Sequence, residues 1–536
     1  MMSRVAQAGM LLAACLFGVA RSAEVSLPEK IDALIFAAAK GQTPNQASDD
    51  YEFLRRVYLD LGGRIPTLKE THSFISDKGP DKRNRLIDAL LKAPGYARRM
   101  SGFIHVHFME RLGENPEWRS YLENSFKVNK PWDRMAREIL RGKGEAEEVK
   151  GASFFYSKRL ENYGQNPVDY SGLTRDVGRL FLGKDLRCAE CHDHLFIQDY
   201  KQADFKGLLA FMQNTYLQDA KTLAVGEKLT SKKVEFMSVF KKVAKETGPK
   251  LPGQKEIVIP EFKKGEEFAI PPDSKKRTPG IPKFSPLEKL SEQLPVRENI
   301  DFSRNMVNRL WFMMLGRGLV HPLDLHHSEN PPSHPELLDL LAREFASHNF
   351  DVKWLLGQLA RTQTYQRSSQ RPEGLAAVPQ SSFLAGLEKR VSPEQLLASI
   401  LVATGAWEKL PGKPGEEPEL PEAPKAKFLK AFGNPPREPE DEISFSLQAA
   451  LFLMNDESTL AFLNPEPGNL IDLVMKNSSP EAGIETLYLA LWTRLPSKEE
   501  AAEVKAFLEK AKNTRGNGWT HLAWALLASS EFCLNH

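Results

Sequence analysis

Apolar residues recur at helical spacing along most of this chain, and the runs are closed by recognisable end signals, which points to a fold built from helices. From Ser48 onward, Phe53, Leu54, Val57, Tyr58 and Leu61 line one helical face between a capping Ser48 and a terminating Gly62-Gly63. Thr67 and Glu70 have capping-box spacing after Pro66, and Leu86, Ile87, Leu90 and Leu91 repeat the pattern before Pro94. The same spacing predicts helices at 94–112, 131–141, 167–182, 301–317, 334–346, 351–364, 445–463, 481–493, 497–512 and 518–532. Strand-like runs are too few for an alternating strand–helix architecture, and no repeat of fixed period occurs. The expected class is mainly α.

Two breaks divide this pattern. Over 221–285 only Ile257-Val258-Ile259 and Phe268-Ala269-Ile270 look strand-like, among Pro271, Pro272, Pro279, Pro282 and Pro286. Over 411–439, eight prolines stand among many Glu and Lys, which suits an exposed loop. A chain of 536 residues exceeds one ordinary core. We therefore expect two helical domains, 24–220 and 286–536, joined by a Pro-rich connector at 221–285 with short β segments.

Arg4, the apolar run Met10–Ala20 and the small residues around Ala23 have the layout of a secretory signal peptide over 1–23. Leu12-Ala13-Ala14-Cys15 also resembles a lipoprotein box, but the apolar stretch continues past Cys15, so ordinary cleavage is expected over a lipid anchor there. No later segment has the length of apolar sequence that a membrane helix needs. An exported, periplasmic or cell-envelope protein without a transmembrane span is expected. Without Arg4 and Arg21 the 72 basic residues become 70, equal to the 70 acidic ones. That balance argues against nucleic acid as a partner, and Lys275-Lys276-Arg277 reads as a solvated loop.

The sharpest chemical signal is Cys188-Ala189-Glu190-Cys191-His192. Two thiols three apart, followed at once by histidine, suit covalent attachment of haem c, with both sulfurs offered to vinyl groups and His192 to iron as proximal ligand. With 4 Cys and 12 His in the chain, accidental matches are expected fewer than about 0.001 times. The same residues admit other chemistry. Cys188 and Cys191 could close a disulfide in an oxidising compartment, and adding His192 and His194 makes a set for Zn or Cu, though four ligands within seven residues are cramped. Candidates for the distal haem face are Met212, on the stretch after the motif, and His105 or His107. His194 is too near His192 to reach that face.

His321, His326, His327 and His334 form a second cluster, with Asp324 or Glu329 as carboxylate partners. Metal or acid–base chemistry competes there with a plainer reading, in which Ser333 and Glu336 cap the helix that carries Leu337, Leu338, Leu340 and Leu341. No Gly-x-Ser-x-Gly elbow, phosphate-cradling loop or His-Glu-x-x-His helix occurs. Cys533, on an apolar helix, reads as a buried inert thiol.

Several passages resemble one bacterial family of exported proteins. Its members pair a planctomycete cytochrome-c-like domain of unknown function (PSCyt type) with a planctomycete-specific C-terminal domain of unknown function (PSD type). In the first domain the similar stretches are Leu54 to Thr67, with Leu-Asp-Leu-Gly-Gly-Arg-Ile-Pro-Thr at its end, and Cys188 to His194. In the second they are Asn308-Arg309-Leu310-Trp311, Gly316 to Val320, Asn330 to Leu338, and Glu531-Phe532 with Asn535-His536. The resemblance implies haem at Cys188, Cys191 and His192, an extracytoplasmic setting, and a companion exported protein of sulfatase-like ancestry. This chain departs from it at Leu195, where relatives usually have proline, and over 411–439.

Three functions are compatible with these residues. The first is an exported c-type haem protein for electron transfer or substrate-linked redox chemistry with a redox partner protein. The second is a non-enzymatic envelope scaffold with a structural Cys188–Cys191 disulfide. The third is a metal-dependent enzyme acting on polysaccharide.

Overall fold

Asp49, rather than Ser48, opens the first strongly amphipathic helix, Asp50–Val57: its carboxylate accepts the Glu52 amide at 2.8 Å. In the computed structural model, which describes residues 25–536 apart from 144–145, 162–165, 241, 276–278, 413–415, 441–445 and 512–517, this helix widens into a π turn, Tyr58–Gly62. Gly63 closes the turn at φ 77°, a conformation open to glycine at little cost. The expected leader at 1–23, with Arg4 and Cys15, lies outside the described residues, as do Lys276 and Arg277.

The π turn carries Asp60 into the interior, where its carboxylate receives Tyr365 Oη and Asn535 Nδ2, each at 2.8 Å, and Lys389 Nζ. Arg55 and Arg56, on the adjoining helix, are also buried. Arg55 donates to the main-chain oxygens of Leu491 (3.2 Å) and Phe532 (2.9 Å), and Arg56 to those of Tyr365 (2.6 Å) and Arg367 (2.8 Å). One short N-terminal segment thereby satisfies main-chain groups from three distant parts of the chain.

The fold is mainly α, with two helical units, but their cores do not meet at the connector. Helices before and after it share the first core, which reaches from Leu27 to Leu384. Trp132, from the helix Trp132–Arg141, stacks 6.3 Å from Phe302 of the helix Ile300–Leu315. The second core gathers Val391 to Cys533 and takes in Leu59 and Ile65 from the N-terminal segment. The cores therefore part between Leu384 and Val391. There Lys389–Arg390 pairs antiparallel with Leu534–Asn535.

The 221–285 stretch holds antiparallel hairpins. Val234–Met237 pairs with Ala244–Thr247, and Phe268–Ile270 with Ile281–Pro282; a third, Thr215–Asp219 with Ala224–Glu227, begins just before it. Ile257-Val258-Ile259 is not a strand: among the described residues no strand pairs with it, and Val258 is exposed. The Pro-rich 411–439 segment is not simply an exposed loop. It contains the helix Glu422–Phe432, whose Phe428 and Phe432 are buried against Phe452 of the second core. Two aromatic residues four apart supply the buried face that overall composition hid.

End signals also moved. The helix Pro335–Ser347 starts from His334, without a side-chain cap, so Ser333 and Glu336 do not form the expected capping box. The expected 445–463 helix is two, Leu447–Asn455 and Glu457–Ala461, because Asp456 accepts the Thr459 amide and begins a second turn. Among the described residues no helix is long and apolar enough to cross a membrane.

Candidate functional site

Gly183, at φ 69°, ends the helix Tyr170–Leu182 and sends the chain into the motif loop. Cys188–Glu190 is a single 3-10 turn. Ala189 is fully buried and anchors the turn, while Cys188 and Cys191 on either side are exposed free thiols. Glu190 Oε2 accepts Arg175 Nη1 at 3.0 Å, which ties the turn back to the preceding helix. Asp193 Oδ1 accepts the Gln202 amide at 2.9 Å at the start of the helix Gln202–Met212.

His192 Nδ1 lies 2.7 Å from the Asp193 carbonyl oxygen. A carbonyl only accepts, so Nδ1 carries a proton; in the neutral ring this leaves the lone pair on Nε2, the form in which imidazole binds a metal. The ring lies 4.7 Å from Phe240. Val239 donates its amide to the Cys191 carbonyl at 3.3 Å, and Gln202 Nε2 donates to the Met237 carbonyl at 3.3 Å, so the Val234–Thr247 hairpin is held against the motif. Leu195 and Phe196, next to the motif in the chain, and Met237, Val239, Phe240 and Val243, on this hairpin, are 53–77% exposed. Such a grouping of large apolar side chains is unusual on a protein surface.

The motif residues fit a covalently held haem: two accessible thiols, a histidine with its far nitrogen available, and an apolar fringe. Cys188 and Cys191 both stand as free thiols. Among the described residues no three His, Cys, Asp or Glu side chains converge as metal ligands. His194 Nδ1 is turned inward, accepting the amides of Phe196 (3.2 Å) and Ile197 (2.9 Å).

Each distal candidate has its own surroundings in the fold. Met212 is fully buried at the far end of its helix, about 15 Å along the axis from Gln202 at 1.5 Å per residue. His105 has both ring nitrogens engaged: Trp118 Nε1 donates to Nδ1 at 3.1 Å, and Nε2 lies 2.9 Å from Glu114 Oε1. His107 holds its Nδ1 3.0 Å from the Phe103 carbonyl, and burial together with the Arg309 charge pushes it down to about 3. It lines a cavity of about 620 Å³ whose walls include none of Cys188, Cys191 or His192.

The histidine cluster is packing rather than a converging site. His326 sits over Gly183, where an added Cβ would come within 2.6 Å of its ring, and its amide donates to the Gly183 carbonyl at 2.9 Å. His327 packs edge-on against Tyr200 at 5.4 Å. Asp324 serves Arg179 (2.7 Å) and Arg309. Cys533 is buried as expected, and burial pushes its thiol up to about 11.

The cavity lies where the two cores adjoin. The helix Pro94–Met109 forms one wall and residues 388–440 supply much of the other. Both halves of the chain also match family models. Residues 30–216 match PSCyt2, a protein of unknown function (DUF1549), and residues 288–441 match PSD1, a protein of unknown function (DUF1553). The chain carries a PSCyt2 domain followed by a PSD1 domain. No curated protein and no solved structure matches it.

Within this PSCyt2–PSD1 protein, Cys188 to His194 falls inside the PSCyt2 match, while Met237, Val239 and Phe240 fall between the two matches. Sequence reasoning missed these three by treating 221–285 as a connector. The available signal was a cluster of large apolar residues in a stretch otherwise rich in Lys and Glu. Asp60 and Lys389, one from each domain match, were missed because a buried ion pair has no local signature.

Proposed function

We propose that this chain is an exported protein carrying covalent haem c on Cys188 and Cys191, with His192 Nε2 as proximal iron ligand, and that it passes electrons to a redox partner protein. The observation that carries this reading is the exposed apolar fringe around two exposed thiols. Phe240 and Val239 lie against His192 and Cys191, Leu195 and Phe196 follow directly in the chain, and all four stay exposed, as expected of side chains that cover a flat apolar group.

Bound there, haem supplies a one-electron iron couple. The chain's residues do the positioning. Ala189 and the Arg175–Glu190 pair hold the turn, the Asp193 carbonyl sets the His192 tautomer, and the apolar fringe keeps water from the bound group. Attachment itself is an addition: each S–H adds across one vinyl double bond, sulfur to one carbon and hydrogen to the other, so nothing leaves and no oxidant is needed.

Production of the exported chain alongside a cytochrome c maturation system tests this. Haem absorbance should stay with the polypeptide after denaturation and acid–acetone extraction, and should disappear in Cys188→Ala/Cys191→Ala. Colourless protein from a maturation system that loads a control cytochrome would overturn the reading.

A further inference from the structure

The cavity at the junction of the two cores has a use separate from the motif. Its volume of about 620 Å³ lies in the range of small-molecule sites. Acidic and basic side chains are similar in number on its walls, so any preference for a ligand comes from which of them are already paired.

Four of the acids are paired. Glu394 and Glu440 are both held by Arg111, at 2.7 and 2.8 Å, and Glu417 lies 4.0 Å from Arg64. Glu114 faces His105. Glu388, Glu419 and Glu422 are exposed, which leaves Glu123 half-buried.

Three guanidinium groups on the same walls have no carboxylate partner among the described residues. Arg98 donates to the main-chain oxygens of Glu417 (2.7 Å) and Pro418. Arg99 donates to the Asp60 carbonyl at 3.3 Å, and Arg390 to the Phe432 carbonyl and the Asn434 side chain. Main-chain carbonyls orient these side chains, and the carboxylates that act on them, Asp60 and Glu394 on Arg99 and Glu440 on Arg390, do so without direct contact, so their N–H groups stay open to a ligand. Arg119 Nη1 and His107 Nε2, also on the walls, are buried without a hydrogen-bond partner. Trp407 and Phe312 supply apolar ring faces to the same space.

We propose that this cavity binds a small organic oxyanion, its acidic group held among Arg98, Arg99 and Arg390 and a flat or apolar portion set against Trp407 and Phe312. Planar guanidinium forks match carboxylate, sulfate and phosphate oxygens alike, so these three headgroups share the chemistry and are separated by experiment.

Phenyl phosphate, phenyl sulfate and benzoate, with phenol as the neutral control, are titrated into the full chain by calorimetry at matched ionic strength. At least one anion should bind saturably and at least tenfold more tightly than phenol, and the order among the three identifies the preferred headgroup. Arg99→Met and Arg390→Gln should each weaken that binding at least tenfold, with unfolding midpoints compared to confirm intact protein. Because Arg99 also supports the Asp60 loop, Arg98→Lys serves as a milder variant that keeps the charge and loses the fork. Binding should persist in Cys188→Ala/Cys191→Ala, which separates this site from haem attachment. No saturable binding by any of the three, binding no tighter than phenol, or affinity unchanged across folded variants overturns the proposal.

Discussion

Lys389 Nζ lies 2.6 Å from the Asp60 carboxylate, with the two side chains 9% and 3% exposed. Lys389 also donates to the carbonyl oxygens of Met313 (3.1 Å) and Met314 (2.7 Å). The pair therefore joins the N-terminal π turn, the helix Ile300–Leu315 and the strand that meets Leu534–Asn535. Replacing one partner leaves a buried charge uncompensated, so Lys389→Met should cost about 3–5 kcal/mol in denaturant unfolding. Lys389→Met with Asp60→Asn should recover part of that loss; a double variant as unstable as the sum of the two single ones would contradict the pairing.

Burial pushes Lys389 down from 10.5 to about 8, against the attraction of Asp60. The folded chain then binds this proton less tightly than the unfolded chain. Stability contributed by this group is full above 10.5 and is lost as pH falls through about 8. Stability of the natural chain should rise between pH 8 and 10, and Lys389→Met should show a smaller slope across that window.

His107 follows the same sign at acid pH. Burial, then the Arg309 charge, lower it to about 3, so the unfolded chain takes up this proton first, near its ordinary 6.5. Stability should fall as pH drops from 6.5 toward 3. His326 and His536 are lowered in the same direction, to about 4 and about 3. His107→Gln should therefore remove a part of the acid loss and leave the rest, as read from unfolding midpoints at pH 7 and pH 4.5.

Gly183 combines a φ of 69° with the His326 ring at 2.6 Å from an added Cβ. Gly183→Ala should cost about 1–3 kcal/mol from backbone strain, with more from displacing His326. Gly183→Ala with His326→Ala should regain the steric share but not the backbone share. Equal stability of the two variants would show that the ring yields freely.

The apolar fringe makes a prediction about dye binding. Under the proposed attachment of haem, Cys188→Ala/Cys191→Ala should bind the dye ANS more strongly than the natural chain produced with the maturation system, because Phe196, Val239 and Phe240 stay exposed. Replacing Val239 and Phe240 by serine in the cysteine-free protein should abolish that excess fluorescence while leaving the far-UV circular dichroism unchanged.

The amino-acid sequence by itself determined the helical class, most helix positions and the Cys188 to His192 motif, because these rest on contacts within a few residues. Thr67 and Glu70 form the capping box that their spacing predicts, and Gly183 and Gly316 end helices through their own backbone freedom. Tertiary structure alone decided what those elements do together. Arg55, Arg56 and Asp60 look like the polar face of a surface helix until carbonyls and donors from residues 365 to 535 are brought to them. The burial of Phe428 against Phe452, the seat of Val239 and Phe240 beside Cys191 and His192, and the gathering of arginines at the cavity are likewise decided by the fold. Their environment comes from residues tens to hundreds of positions away, and only the folded chain brings those together.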